Sequence, residues 1–110
     1  MRPLGALENW LEQLDPHSRR SSRYSLIRFE EHVKGLGLPE FKTLDEMVQF
    51  QQEAQLINDR YKIANIAKNY VQKKGGRLSS MNTLYANIRS FFYRNQATLE
   101  KIPRKSVHSR

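Results

Sequence analysis

The side chains that could support catalysis or metal binding are few in this sequence, and they are widely separated. The three histidines, His17, His32 and His108, do not match the ligand spacings of a metal site. Glu30 and Glu31 are adjacent, and neighbouring positions on a helix point about 100° apart, so the two carboxyl groups are not expected to share a proton-transfer role. The sequence therefore predicts no catalytic residue, no metal site and no cofactor, and the chain is not expected to act as an enzyme by itself.

Hydroxyl, glycine and aromatic residues likewise lack a catalytic or nucleotide-binding pattern. Serines are frequent, but none lies in a motif that would activate a nucleophile. Gly75 and Gly76 lack the preceding strand and the spacing of a phosphate loop, and they are expected to end a helix. The aromatic residues at helical spacing are expected to pack in a core, with stacking on single-stranded bases as the alternative: Tyr24, Phe29, Tyr70, Phe91 and Phe92.

Charge is the strongest functional signal, and it is unevenly distributed. The net charge is +8. Residues 1–58 hold seven Lys or Arg against nine Asp or Glu, a net −2, whereas residues 59–110 hold twelve against two, a net +10. A segment this basic attracts polyanions, because each neutralised phosphate releases condensed counterions. Charge alone does not separate DNA from RNA, from an anionic membrane or from a basic surface that only aids solubility.

Length and composition limit the class of protein. A chain of 110 residues fits one domain. It contains no cysteine, no apolar run near the roughly 20 residues that span a bilayer, and no secretory signal in its start, MRPLGALENW. These features predict a cytoplasmic protein without membrane contact.

Apolar residues recur every three or four positions in several segments, which predicts an all-α fold, a single small bundle of four to five helices. Thr43 and Glu46 have the spacing of a capping box. The bundle is expected to comprise an N-terminal arm with a short helix (1–17), a helical domain (18–99) and a basic tail (100–110). The predicted helices run from Leu4 to Leu14, from among Ser18, Ser21 and Ser22 to Lys34, from Thr43 to between Gln55 and Asn58, from Asp59 to Lys74, and from Ser79 or Ser80 to about Gln96.

The last helix carries the most informative pattern. Positions at 100° intervals place Met81, Leu84, Ile88 and Phe91 on one side, which is expected to face the core. The opposite side contains no acid and suits a helix laid against DNA. That side holds Asn82, Thr83, Ala86, Arg89, Ser90 and Tyr93, with Asn87 and Arg94 alongside.

Two further regions combine cations with hydroxyl groups. Arg19, Arg20 and Arg23 crowd the start of the second helix, where cations oppose the helix dipole and so indicate a role other than local stability. Cations also flank Gly75 and Gly76, before a helix start whose amides can hold phosphate. The predicted contacts with double-stranded DNA are Arg20, Ser21, Arg23, Lys73, Lys74, Arg77, Ser79, Asn82, Thr83, Arg89 and Arg94.

The run SSMNTLYANIRSFF, residues 79–92, resembles the last helix of the core-binding domain of phage-type integrases, the tyrosine recombinases. In that family a serine and then a threonine open this helix, and an Ile/Leu-Arg-x-Phe-Phe-like segment closes it. The stretch from Ser21 to Phe29 resembles the family's first helix, with hydroxyl residues before a Tyr and a Phe, and Pro103 resembles the entry to its linker. The resemblance covers about residues 18–104 and consists of short motifs.

This resemblance implies a SAM-like bundle that clamps DNA together with a catalytic domain of the same recombinase, and that forms oligomers only on DNA. The family's catalytic Arg, His and Tyr motifs would follow the linker, where this sequence stops. We therefore expect either a piece of a longer recombinase or a protein that binds without cutting. The Gln-rich segment 37–58 fits the family pattern less well. The alternatives are a stand-alone helix-turn-helix-like regulator and a helical protein-interaction module.

Overall fold

The computed structural model describes residues 5–101, and all regular secondary structure in that range is helical. The prediction of a small all-α bundle is confirmed. The predicted helix start at Leu4 and the basic tail from Pro103 lie outside the described residues. Within them, no helix is both long enough and apolar enough to cross a membrane. The five helices are α1 (Ala6–Glu12), α2 (Pro16–Gly35), α3 (Leu44–Glu53), α4 (Ile57–Lys74) and α5 (Leu78–Arg94).

One hydrophobic core joins all five helices. The segment assigned to an N-terminal arm belongs to it, because Trp10 and Leu11 of α1 are almost fully buried. The Trp10 ring meets the Phe91 ring edge-on at 5.8 Å, and its indole Nε1 donates a hydrogen bond of 3.1 Å to Ser90 Oγ. The other helices contribute apolar side chains that are fully buried, including Leu26, Phe29, Met47, Ile63, Ala67, Ile88 and Phe92.

Helix α2 begins earlier than predicted. Its first residue is Pro16, so the serines at 18, 21 and 22 lie inside the helix and none of them caps it. Proline suits the first helical position, because its φ angle is already helical and its missing amide hydrogen would have no partner there. The predicted end is correct to within one residue, and Leu36, which follows the helix, is exposed.

Helices α4 and α5 also begin before their predicted residues. Helix α4 begins at Ile57 rather than Asp59, and α5 begins at Leu78 without a side-chain cap from Ser79 or Ser80. Neither start has a capping side chain, and Ile57 and Leu78 are exposed, so buried residues further along each helix stabilise it, since most helical stability in proteins comes from tertiary contacts. Phe92, expected to pack in the core, is fully buried.

The start of α3 is confirmed in detail. Thr43 Oγ1 accepts a hydrogen bond of 3.1 Å from the amide of Glu46, and Glu46 Oε1 accepts from the amides of Thr43 and Lys42. These amide donors hold the pKa of the Glu46 carboxyl below its usual range. The capping box therefore fixes where the chain turns from the loop into α3.

The chain that leaves α5 is fastened to α1 and α3. Asn95 is buried, and its Nδ2 donates to Ala6 O at 3.1 Å. Gln52 Nε2 of α3 donates to Asn95 O at 2.9 Å, and Gln51 Nε2 donates to Thr98 O at 3.1 Å. These bonds fix the C-terminal end of α5 against its neighbours.

Replacing the buried indole tests whether α1 is part of the fold. We expect Trp10→Ala to lower the free energy of unfolding by about 3–5 kcal/mol, because it leaves a large cavity and an unpaired Ser90 hydroxyl. Urea denaturation monitored by circular dichroism measures this change. Leu56→Ala is the control: its side chain is 72% exposed, so its effect should stay within about 0.5 kcal/mol. A loss below about 1 kcal/mol for Trp10→Ala would show that α1 is dispensable.

His32 makes the stability depend on pH. Its ring lies 4.9 Å from the Tyr70 ring between α2 and α4, and burial, aided by the charge of Lys73, lowers its pKa from the usual 6.5. The folded state disfavours the protonated ring, so the His32 contribution is fully present above about pH 6.5 and is lost as the pH falls through the lowered pKa. We expect His32→Asn to flatten the pH dependence of the thermal midpoint below about pH 6.5, which thermal melts at a series of pH values would measure.

Candidate nucleic-acid interface

Helix α5 presents a polar side to solvent, as its sequence pattern predicts. We call Asn82, Thr83, Ala86, Arg89 and Tyr93 the outer strip, and all five are exposed. The core side of the same helix carries Ile88, Phe91 and Phe92. Because side chains leave a helix at fixed angles, burial of one side determines which residues form the other. Of the remaining residues predicted on this side, Arg94 is exposed, whereas Ser90 and Asn87 are half-buried.

A groove lined mainly by hydroxyl groups runs between α2 and α5. It brings together three predicted contacts, Ser21 of α2 and Ser79 and Thr83 of α5. We call it the hydroxyl groove. Ser25 was not among the predicted DNA contacts, although it lies one helical turn after Ser21 and the helical period would have indicated it. The full lining is Ser21, Ser25, Ser79, Ser80, Thr83, Leu84 and Asn87, with no carboxylate among them.

The N-terminus of α5 adds backbone donors beside this groove. The first amide of α5 with an intrahelical acceptor is that of Met81, which donates to Arg77 O at 3.0 Å. The amides of Leu78, Ser79 and Ser80 precede it, and the Arg77 side chain does not cap them. Free amides at the positive end of the helix dipole, together with two serine hydroxyls, form a donor set that matches phosphate oxygens.

The cations of the α4–α5 turn are free of carboxylate partners. Lys73, Lys74 and Arg77 are exposed and take part in none of the ion pairs formed within residues 5–101. Lys74 Nζ lies 5.9 Å from the ring centre of Tyr70, which is one turn earlier in α4. The sequence between residues 60 and 99 contains no Asp or Glu, so this stretch contributes no negative side chain to the surface.

The three arginines at the start of α2 differ in the contacts that they form. Arg23 forms a two-bond ion pair with Glu8, at 2.5 and 3.2 Å, and this pairing lowers the pKa of the Glu8 carboxyl. Arg19 Nε donates to Leu11 O at 2.8 Å and so satisfies a carbonyl at the end of α1. Both arginines hold α1 against α2, which explains cations at a helix start that the dipole disfavours. Of the three, only Arg20 forms neither an ion pair nor a side-chain hydrogen bond within residues 5–101.

A second groove lies along the C-terminal half of α5, and we call it the arginine groove. Its volume is about 390 Å³, and it contains both predicted arginines, Arg89 and Arg94. Arg94 Nη1 donates to Gln13 Oε1 at 3.3 Å, which orients the side chain along the groove. Tyr93 and Thr98 also line it. Thr98 was not predicted, because it follows α5 in the sequence and lies beside that helix only through the fold of the segment after α5, in which Thr98 O accepts a hydrogen bond from Gln51.

A third groove separates α4 from α5 on the other side of the outer strip, and we call it the apolar groove. Asn82 lies on its rim. Tyr85 is half-buried within it, and that burial raises the pKa of its phenol. The lining comprises Lys68, Val71, Gln72, Leu78, Met81, Asn82 and Tyr85, again with no carboxylate.

The aromatic residues mostly pack in the core, as expected. Phe29, Tyr70, Phe91 and Phe92 are buried. Tyr24 is the exception: it is 61% exposed, with the guanidinium of Arg28 above its ring at 5.8 Å. The part of the chain that the structure describes thus lacks a row of exposed aromatics for single-stranded bases, and it contains no group of three or more His, Asp or Glu that could hold a metal ion.

The interface extends along one helix and borders three grooves. From Ser79 to Arg94 the helix rises about 22 Å, at 1.5 Å per residue. Comparison of the chain with protein-family models, with curated proteins and with solved structures found no match. The similarity to tyrosine recombinases and to SAM domains therefore stays a prediction, and the site is defined by its geometry and charge.

Proposed function

We propose that this chain binds double-stranded DNA through the outer strip of α5, the grooves beside it and the α4–α5 turn. The observation that carries the proposal is a continuous exposed surface of hydroxyl, carboxamide and cationic groups in a stretch, residues 60–99, without one carboxylate. Such a surface has donors for phosphate oxygens and base edges and nothing that repels the backbone.

The shape of the surface favours a duplex over a single strand. A straight helix with a convex polar face fits the major groove, which is about 12 Å wide. Proteins that bind single strands stack bases on exposed aromatic residues, and most aromatics here are buried in the core.

A protein-interaction module has less support. Such a module would present an exposed apolar patch, whereas the outer strip is polar. The exposed Leu56 and Ile57 lie at the start of α4, about 27 Å along that helix from the basic turn.

In this proposal the contacts divide into three groups. Ser21, Ser79 and Thr83 bind a phosphate in the hydroxyl groove, assisted by the free amides of α5. Arg89 and Arg94 bind the backbone or base edges at the other end of the helix. Arg20, Lys73, Lys74 and Arg77 add attraction that does not depend on base sequence. Arg23 is excluded from the contacts because Glu8 occupies its guanidinium.

We further propose, from the resemblance, that the chain is the DNA-clamping domain of a tyrosine recombinase. A catalytic domain of the same recombinase would close the clamp, and oligomers would form only on DNA. Binding by this part alone would then be weak, because a clamp gains affinity from the high effective concentration of its second half.

A stand-alone helix-turn-helix regulator is the second candidate, and one observation favours it. The turn between α4 and α5 comprises only residues 75–77, shorter than the sequence indicated, and three-residue turns with glycine are typical of that motif. A regulator would bind palindromic duplexes as a dimer with half-sites about one helical turn apart, whereas the clamp domain would bind a single site as a monomer.

Titration with a duplex tests DNA binding directly. We expect fluorescence anisotropy to show binding at low salt, with a log–log salt slope of about −5 if six cations each neutralise one phosphate. NMR shift mapping should place the perturbed amides at residues 19–25, 73–79 and 82–94. Binding without salt dependence, or shifts confined to α3, would contradict the proposal.

The arginine groove can be tested separately with a charge-matched pair of variants. We expect Arg89→Ala with Arg94→Ala to weaken duplex binding roughly tenfold or more and to reduce the salt slope by about 2, while unfolding changes by less than about 1 kcal/mol. Lys42→Ala with Lys62→Ala removes the same charge outside the three grooves, and it should weaken binding much less. Equal losses in the two double variants would mean that net charge, rather than the groove, holds the DNA.

A further inference from the structure

We infer that the apolar groove between α4 and α5 recognises an A·T base pair in the major groove. This inference rests on the proposed binding of double-stranded DNA. It assigns a preference for one kind of base pair to one groove of that surface.

The first observation is a leucine exposed in cationic surroundings. Leu78, the first residue of α5, is 69% exposed between Arg77 and Ser79, so it contributes little to the core. One turn later Met81 is half-buried, and with Val71 it continues the apolar wall of a groove of about 170 Å³. This wall has the size and character needed to cover a methyl group.

The second observation is a pair of carboxamides on facing helices. Gln72 of α4 and Asn82 of α5 are both exposed and both line the groove. An Asn or Gln side chain pairs through two hydrogen bonds with N6 and N7 of adenine in the major groove. Lys68 lies on the same rim and supplies charge for the neighbouring phosphates.

These two features together match one kind of base pair. In the major groove an A·T pair presents the adenine N6 and N7 atoms beside the C5-methyl group of thymine, whereas a G·C pair has no methyl group. Leu78 and Met81 would contact the methyl group, while Asn82 or Gln72 would bind adenine. The absence of acids from residues 60–99 makes a polyanion, rather than a basic peptide, the partner that complements this groove.

The test begins with sequences selected by the protein from a randomised duplex pool at low salt, because the target is unknown. We expect an A·T pair at one or more positions of the selected sequences. Replacing that thymine by deoxyuridine removes only the methyl group, and it should weaken wild-type binding about fourfold, the equivalent of one buried methyl group.

Two variants with matched controls identify the side chains. Leu78→Ala should bind the thymine and deoxyuridine duplexes equally, while Leu56→Ala, an equally exposed leucine at the other end of α4, should discriminate as the wild type does. Asn82→Ala should reduce the preference for A·T over G·C at that position at least fivefold, and the exposed Asn65→Ala should not.

The possible outcomes distinguish failure of the A·T contact from failure of the proposed DNA binding. Duplex binding without A·T selection, or an equal deoxyuridine effect in wild type and Leu78→Ala, would overturn the A·T contact and leave DNA binding intact. A protein that binds no duplex in the pool but binds a peptide library through this groove would overturn both.

Discussion

Burial of Ile88, Phe91 and Phe92 determines how α5 is rotated about its axis, and the position of the candidate contacts on that helix follows from this burial. A helix that places three large apolar side chains in the core has no freedom in what it presents to solvent. The Trp10–Ser90 hydrogen bond and the fastened exit segment prevent α5 from sliding along its axis. The outer strip is therefore a rigid surface, and rigid helices position contacts more accurately than loops do.

Charged side chains have two separate roles in this protein, and the net charge does not distinguish them. Some cations serve the fold: Arg23–Glu8 joins α2 to α1, and Lys62–Glu40 joins α4 to the loop between α2 and α3. Residues 60–99 contain no acid, and within the described residues 5–101 only Arg60 and Lys62 of that stretch pair with carboxylates outside it. The remaining cations form no ion pair within the described residues, so a polyanion can bind them without breaking an ion pair of the protein.

Much of the fold could be predicted because helical periodicity depends only on local spacing. The apolar stripe of α5 and the capping box at Thr43 were predicted for that reason. Helix starts were less accurate: a serine resembles a cap wherever it stands, and only tertiary packing shows that Pro16 begins α2. The hydroxyl groove could not be predicted in full, because it requires α2 and α5 to pack side by side, and no local pattern gives that pairing. For the same reason the sequence did not indicate that Glu8 would form an ion pair with Arg23.

The two candidate functions assign the phosphate contacts beside α5 to different neighbouring helices, although both lay α5 in the major groove. In a helix-turn-helix the preceding helix crosses the backbone, so phosphates would lie on the α4 side, near Lys68. In a clamp the contacts of α2 matter, and phosphates would lie in the hydroxyl groove beside Ser21 and Ser25. The hydroxyl groove is lined by Ser79 and Ser80, whose amides are free, and this favours phosphate contacts on the α2 side. Phosphate contacts in that groove leave the apolar groove, which faces α4, available for the base pair inferred above, since backbone contacts position a protein and base contacts give its sequence preference.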